Sequence, residues 1–238
     1  MILTQAVLLA FYLAIMSKIF GSLGRLLPQA LYSRLSHALL AYEQKNLKHP
    51  EPPTLLAKHL EGAQLLPTRM ELLDVLPKGG VIAELGVDQG DFSQEILKRC
   101  SPEHLALVDW WSTARYGEDK NKAVHARFSS ELENGAVSIT LGNSIEVAPS
   151  FPDDHFDCVY IDTSHGYDVT KAELEAYAPK VKVGGYLSGH DYVIGNWTSR
   201  IRYGVIEAVH EFCVQYNWRF VYLTMECPDH PSFAIQRI

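Results

Sequence analysis

Short apolar runs recur along residues 81–189 and alternate with stretches whose apolar positions repeat at helical spacing. The runs are "VIAELG" (81–86), "HLALVD" (104–109), "AVSITL" (136–141), "FDCVYID" (156–162) and "GYLSG" (185–189), and they read as strands. Helical patterns fall at 91–99, 119–133 and 168–180, with a shorter piece near 144–149. Alternation at this spacing predicts right-handed crossovers and a parallel sheet covered on both faces. One more helix, "GVIEAVHEFCVQY" (204–216), precedes two further strands, "RFVYLT" (219–224) and "SFAIQRI" (232–238). The linking "MECPDHP" is too short for a parallel crossover, so these two strands pair antiparallel. The pattern predicts an α/β fold with a Rossmann-like, doubly wound, seven-stranded sheet and a terminal antiparallel hairpin.

Ahead of the first strand, "TRMELLDVLPKGG" opens with Thr68 and Glu71 at capping-box spacing and closes with Pro77, Gly79 and Gly80. Further upstream, "ALYSRLSHALLAY" (30–42) puts Leu31, Leu35, Leu39 and Tyr42 on one helical face. The proline-bearing "EQKNLKHPEPP" that follows reads as a linker. The chain therefore divides into an N-terminal helical segment, 1–66, and a main domain, 67–238. The opening "MILTQAVLLAFYLAIM" is almost wholly apolar, yet shorter than the ~20 residues of a membrane span. It also lacks the positive start and small-residue cleavage site of a signal peptide. The favoured expectation is a homo-oligomer interface; a membrane-surface contact through residues 1–24 and a signal anchor are the alternatives.

Composition narrows the classes. The 238 residues are 47% hydrophobic and 21% charged, enough for one large domain with an appendage. A net charge of -7 without a basic run argues against non-specific nucleic-acid binding, which needs Lys and Arg on phosphates. Cys100, Cys158, Cys213 and Cys227 lie far apart with no CxxC pair, which suits buried thiols in a reducing compartment. A cytoplasmic location is expected, membrane-associated if the N-terminus serves as an anchor.

In an open α/β sheet, ligands bind beyond the carboxyl ends of the strands. At the first of these ends stand Glu84, Gly86, Asp88 and Gly90. Two glycines allow close backbone approach, but two acids would repel the pyrophosphate of a dinucleotide. A ligand with an amine or sulfonium would be attracted instead. Asp109, in "LVDWW", lies where an acid bonds a ribose diol in nucleotide folds. Trp110 or Trp111 could cover an adenine or fill core. In "LGNS", Asn143 offers a donor and an acceptor to a base edge, and Ser144 can cap the next helix.

Together, "AELGVDQGDFS", "LVDWW", "GNS", "FDCVYIDTSHGYDVTKAELEAY", "VGGYLSGHDY" and the closing hairpin resemble the class I S-adenosylmethionine-dependent methyltransferases. The branch they look most like is methyltransferase family 24, with its sugar and antibiotic O-methyltransferases. The resemblance covers roughly residues 68–238. It implies that Glu84, Gly86 and Gly90 surround the methionine end of the cofactor, with Asp88 in the same turn. It also implies that Asp109 holds the ribose and that Asn143 and Ser144 flank the adenine.

Two other strand ends carry chemistry. "YIDTSH" ends in Asp162 and His165, and "GHDY" holds His190 and Asp191. If the two strands are neighbours they lie ~4.8 Å apart, so Asp162 and Asp191 could converge to bind a divalent cation, Mg²⁺ or Mn²⁺. The resemblance implies a metal on Asp162 and Asp191, with His190 where relatives carry a second acid; some sugar-modifying members also carry a histidine three residues past the first acid, which His165 matches. His165 is the expected base, since imidazole titrates near neutral pH. Tyr167 and Tyr192 are expected to line the pocket, and the loops at 111–120 and 192–203 to cover it. The expected function is S-adenosylmethionine-dependent O-methylation of a small molecule, a sugar or natural-product intermediate. The alternatives are a nicotinamide-dependent oxidoreductase and a non-catalytic cofactor-binding or assembly protein.

Overall fold

A computed structural model of the chain describes residues 50–238 apart from 114, 197–200 and 227–229, together with positions 31, 33, 34 and 37. The opening apolar run, Leu35, Leu39, Tyr42 and Cys227 lie outside the described residues, as do Trp197 and Arg200 of the 192–203 loop. Contacts divide the chain into two compact units: residues 1–50 with Gly195–Arg202, and Glu51–Ile194 with Tyr203–Ile238. In the smaller unit, Leu31, Ser33, Arg34 and His37 are helical, and Gly195 and Asn196 pair antiparallel with Arg202 and Ile201. No helix among the described residues is long and apolar enough to cross a membrane.

In chain order the strands are β1 (Gln64–Leu66), β2 (Val81–Leu85), β3 (His104–Asp109), β4 (Val137–Leu141), β5 (Phe156–Ile161), β6 (Val181–Gly189), β7 (Gly195–Asn196), β8 (Ile201–Arg202), β9 (Trp218–Thr224) and β10 (Phe233–Arg237). The helices are α1 (Arg69–Val75), α2 (Asp91–Cys100), α3 (Glu118–Arg127), α4 (Ser129–Glu133), α5 (Ser144–Val147), α6 (Tyr167–Tyr177) and α7 (Val205–Tyr216). The main sheet runs β1-β9-β10-β6-β5-β2-β3-β4. Its β6, β5, β2, β3 and β4 are mutually parallel, and β10 lies antiparallel between β6 and β9. The α/β architecture and the antiparallel hairpin are those expected. Among the described residues the sheet has eight strands rather than seven, because Gln64–Leu66 add an edge strand parallel to β9. Three residues without alternation leave no periodic signal; pairing with β9 makes them a strand.

Strand side chains alternate between the two faces, and each face meets its own helices. Ala83, Leu85, Ala106, Val108, Val159 and Ile161 pack with Leu174 and Tyr177 of α6 and with Ala208, Val209 and Phe212 of α7. Ile82, Leu105, Leu107, Cys158 and Tyr160 pack with Leu72 and Leu73 of α1, Ile96 of α2 and Val124 of α3. Glu84 falls on this second face in the parity of Ile82, a carboxyl at an apolar position. The predicted helix 119–133 breaks at Phe128, whose buried ring fills the space that a side chain at Gly90 would need. Cys100, Cys158 and Cys213 are buried free thiols, and burial raises the pKa of each, to about 11 for Cys100.

Candidate functional site

The carboxyl ends of β2, β3, β4 and β5 open into a cavity of about 740 Å³. Glu84, Gly86, Asp88, Asp109, Trp110, Asn143, Ser144, Asp162 and His165 line it. Gly90, expected with them, does not. It caps α2 in the left-handed conformation at φ +82°, and a side chain there would meet the Phe128 ring at 2.7 Å. Gly86 has φ +86°, and a Cβ would fall 2.0 Å from the Asp162 carbonyl oxygen. That glycine allows two strand ends to touch. Its close approach is to β5's exit, at a point where backbone atoms cannot yield.

Glu84 is 1% exposed and accepts a hydrogen bond from Ser93 Oγ. Burial pushes its pKa up to about 8; Ser93 and Arg69 favour the charged form, and Asp162 and Asp109 oppose it. Asp88, the other acid of the turn, pairs with Lys120, and its carbonyl accepts from Trp111 Nε1 at 2.8 Å. Of the two acids that distinguish the turn, Glu84 alone is left at the cavity floor without a cationic partner in hydrogen-bond range.

Asp109 organises the turn from the next strand. Its Oδ2 accepts from the Val87 and Asp88 amides at 2.8 and 3.0 Å, and its Oδ1 from Trp111 N at 3.0 Å. Each carboxylate oxygen can accept two bonds, so Oδ2 is filled and Oδ1 keeps acceptor capacity for one more. Trp111 is core, while Trp110 is 58% exposed at the rim. Asn143 rather than Ser144 caps α5: its Oδ1 accepts from Ile145 N at 3.0 Å. Ser144 Oγ instead donates to Glu173, which also accepts from Thr163 Oγ1 at 2.8 Å. Glu173 is fully buried on α6 and lines the cavity. Burial pushes its pKa up to about 7, against both hydroxyl bonds.

The reacting end forms because β5 and β6 are neighbours in parallel register, with Ile161 opposite Gly189. Asp162 and His190 therefore leave the sheet side by side. Asp191 has φ +57°, a conformation Asp tolerates better than most residues. Its Oδ2 lies 3.0 Å from His165 Nδ1 and 3.3 Å from His190 Nδ1. His230 Nδ1, from the segment before β10, bonds Oδ1. Burial alone would raise the Asp191 pKa, but His165 and His190 outweigh it and hold the carboxylate charged. Burial likewise works against a charged His190, and Asp191 and Asp162 reverse the sign, so its pKa is raised. Asp162 keeps a raised pKa, chiefly from burial.

Donor atoms of Asp162, His165 and Asp191 all lie within 4.8 Å of one another. This set differs from the expected Asp162, His190 and Asp191: His165 joins it, and His190 sits 3.8 Å from Asp162 as a partner of the carboxylates. Tyr167 and Tyr192 do not line the cavity. Tyr167 donates to Glu211 of α7, and Tyr192 contacts His210 and packs on Phe220 and Phe233.

Three residues at this site escape sequence reasoning. Glu173 had a signal, an acid at a buried helical position in step with Thr170, Leu174 and Tyr177. Arg69 and His230 had none, since both reach the site only through the tertiary fold.

Residues 83–192 match a family model described as a methyltransferase domain. No curated protein matches the sequence. Among solved structures, the chain is similar to the pyocyanin biosynthetic protein PhzM (TM-score 0.56, 13% identity, 71% of this chain and 54% of that one). It is also similar to a SAM-dependent methyltransferase from Aquifex aeolicus (TM-score 0.52, 12% identity, 71% and 88%). A third is the tRNA methyltransferase TrmK of B. subtilis (TM-score 0.51, 14% identity, 73% and 67%). The chain spans about half the length of several matched structures, 43%, 54% and 50% of three of them. At these identities the likeness is one of fold.

Proposed function

We propose that this chain, which carries a class I methyltransferase domain, moves a methyl group from S-adenosylmethionine to a hydroxyl of a small molecule, a sugar or natural-product intermediate. The cofactor, when bound, supplies an electrophilic methyl on a sulfonium. The residues present fit it. The cavity volume is in the range of small-ligand pockets. Glu84 at the floor is a carboxyl that a cationic amine would ionise. In this reading Gly86, Asp88 and Gly90 shape the turn beside it, Asp109 takes the ribose diol, and Trp110, Asn143 and Ser144 surround the adenine.

The observation that carries hydroxyl methylation is the 3.0 Å contact between His165 and Asp191 beside Asp162. With Nδ1–H held by Asp191, Nε2 of His165 is the basic nitrogen. It would accept the hydroxyl proton as the O–C bond forms and the C–S bond to the sulfonium breaks, releasing the neutral thioether, and the charged Asp191 would stabilise the imidazolium that results. Most of the remaining acceleration comes from alignment of donor and acceptor.

A second reading rests on the convergence of Asp162, His165 and Asp191. Two carboxylates and an imidazole suit a divalent ion such as Mn²⁺ or Mg²⁺; these three residues would hold it, and it would supply Lewis-acid activation of the hydroxyl. The discriminating experiment measures S-adenosylhomocysteine release over a panel of hydroxylated acceptors, with and without chelator. His165→Ala and Asp162→Ala are each expected to reduce turnover at least about 100-fold. Unchanged turnover in both would overturn the assignment. Loss on chelation, restored by Mn²⁺ but not by buffer alone, would favour the metal-bound form. For the apolar N-terminus, removal of residues 1–24 is expected to lower the oligomeric mass in sedimentation. Loss of liposome binding with unchanged mass would assign it to a membrane surface.

A further inference from the structure

Three contacts hold His165 from different sides. Its Nδ1 lies 3.0 Å from Asp191 Oδ2, and its backbone oxygen accepts from the Gly204 N–H at 2.7 Å. The third contact is the Tyr203 ring, whose centroid lies 4.5 Å from that of the imidazole at an interplanar angle of 46°. Tyr203 also meets the His230 ring edge-on, at 5.8 Å. His165 and His230 take the two oxygens of Asp191, so one aromatic ring packs against both imidazoles that bracket this carboxylate. Although Tyr203 ends the 192–203 stretch expected to cover the cavity, it is 7% exposed and stands behind the lining.

The backbone fixes where Tyr203 stands. Its N–H donates to the Ile194 carbonyl at 2.9 Å, and α7 begins directly after Gly204. Gly204 lets this segment lie against the start of α6, because a Cβ there would fall 2.4 Å from Tyr167 N. An imidazole hangs on two side-chain torsions and has several staggered positions open to it. The Asp191 contact pins one ring atom but leaves the ring plane free to swing about that atom. A flat neighbour in van der Waals range removes this freedom. We propose that Tyr203 is a positioning residue for methyl transfer. Its ring holds the His165 imidazole in the one rotamer that keeps Nδ1 on Asp191 and leaves Nε2 for the acceptor hydroxyl. The inference rests on the methyl-transfer reading, in which His165 takes the proton. The role belongs to the aromatic face of Tyr203 and is exerted through His165.

Two substitutions in the full chain separate the ring from the bulk: Tyr203→Leu keeps an apolar side chain without the flat face, and Tyr203→Phe keeps the face. With S-adenosylhomocysteine release as the assay, Tyr203→Leu should lower kcat about 10- to 100-fold, the scale of a catalytic group misplaced by about an ångström. KM for S-adenosylmethionine should not change, and Tyr203→Phe should recover most of the wild-type rate. Tyr203→Met, adaptable in a packed site, replaces the leucine variant if that one does not fold. Wild-type turnover in Tyr203→Leu would overturn the proposal. A raised KM with unchanged kcat would overturn it as well, and so would equal losses in the leucine and phenylalanine variants, which would give the role to the hydroxyl. NMR couplings that report χ1 of His165 supply a readout independent of turnover. Wild type and Tyr203→Phe should show one rotamer, and Tyr203→Leu an average of several. One unchanged rotamer in all three overturns the proposal whether or not an acceptor is found. If the rotamer responds but wild type releases no S-adenosylhomocysteine with any acceptor, the methyl-transfer reading fails and takes the role of Tyr203 in it down too.

Discussion

Glu84 shows how one side chain can link stability, pH and ligand. In the folded chain burial raises its pKa to about 8, whereas an unfolded glutamate sits near its ordinary value of 4.5. Between those values the folded state holds a proton that the unfolded state has released. Stability therefore falls as pH rises through this window and levels off above it. Glu173, raised to about 7, acts with the same sign. Glu84→Gln cannot titrate, so its melting temperature relative to wild type should climb from pH 5 to pH 8.5. The gain is on the order of a few kcal/mol at most, measurable by thermal melts across pH. A difference that stays flat with pH would mean Glu84 is ionised throughout. Gly86→Ala is a second local test. The new methyl would meet the Asp162 carbonyl at 2.0 Å in a backbone conformation that disfavours alanine. A loss of about 2–3 kcal/mol in urea unfolding is expected.

Between elements, the decisive piece is the short β1–α1 connection. Its helix was legible because Thr68 and Glu71 have capping spacing, and Thr68 does accept from Met70 N at 3.1 Å. Its strand was not, because three residues become a strand only by pairing with β9. Glu226, just past β9, then bonds the Arg69 amide and Thr224 Oγ1. Glu226→Ala should cost about 1–2 kcal/mol, the scale of a lost helix cap, read as a lower denaturant midpoint. The reacting end has the same logic. "IDTSH" and "GHDY" were legible as strand ends, and the neighbouring β5 and β6 bring Asp162 and Asp191 together as expected. His230 arrives from the terminal hairpin, and a histidine in a polar turn carries no mark of its destination.

For the molecule as a whole, cofactor binding should appear as stabilisation. A ligand that binds only the folded state at 100 times its Kd adds about 2.7 kcal/mol. For a domain of this size that is a rise in Tm of about 5–10 °C with S-adenosylhomocysteine. NADH should give none, and a rise with NADH alone would return the chain to the nicotinamide alternative. What the order of residues determined alone was the alternation of strands and helices, the antiparallel end of the sheet and the row of polar residues at strand exits. Those follow from periodicities of two and about 3.6, which are local properties of the chain. Only the tertiary structure decided which polar groups share a site and in what charge state. It paired Asp88 with Lys120, left Glu84 buried at the cavity floor, placed His165 rather than His190 among the clustered donors, and set Arg69 among acids. Burial and through-space charge depend on neighbours distant in sequence, such as Asp191 and His230, 39 positions apart, or Arg69 and Glu226, 157 positions apart.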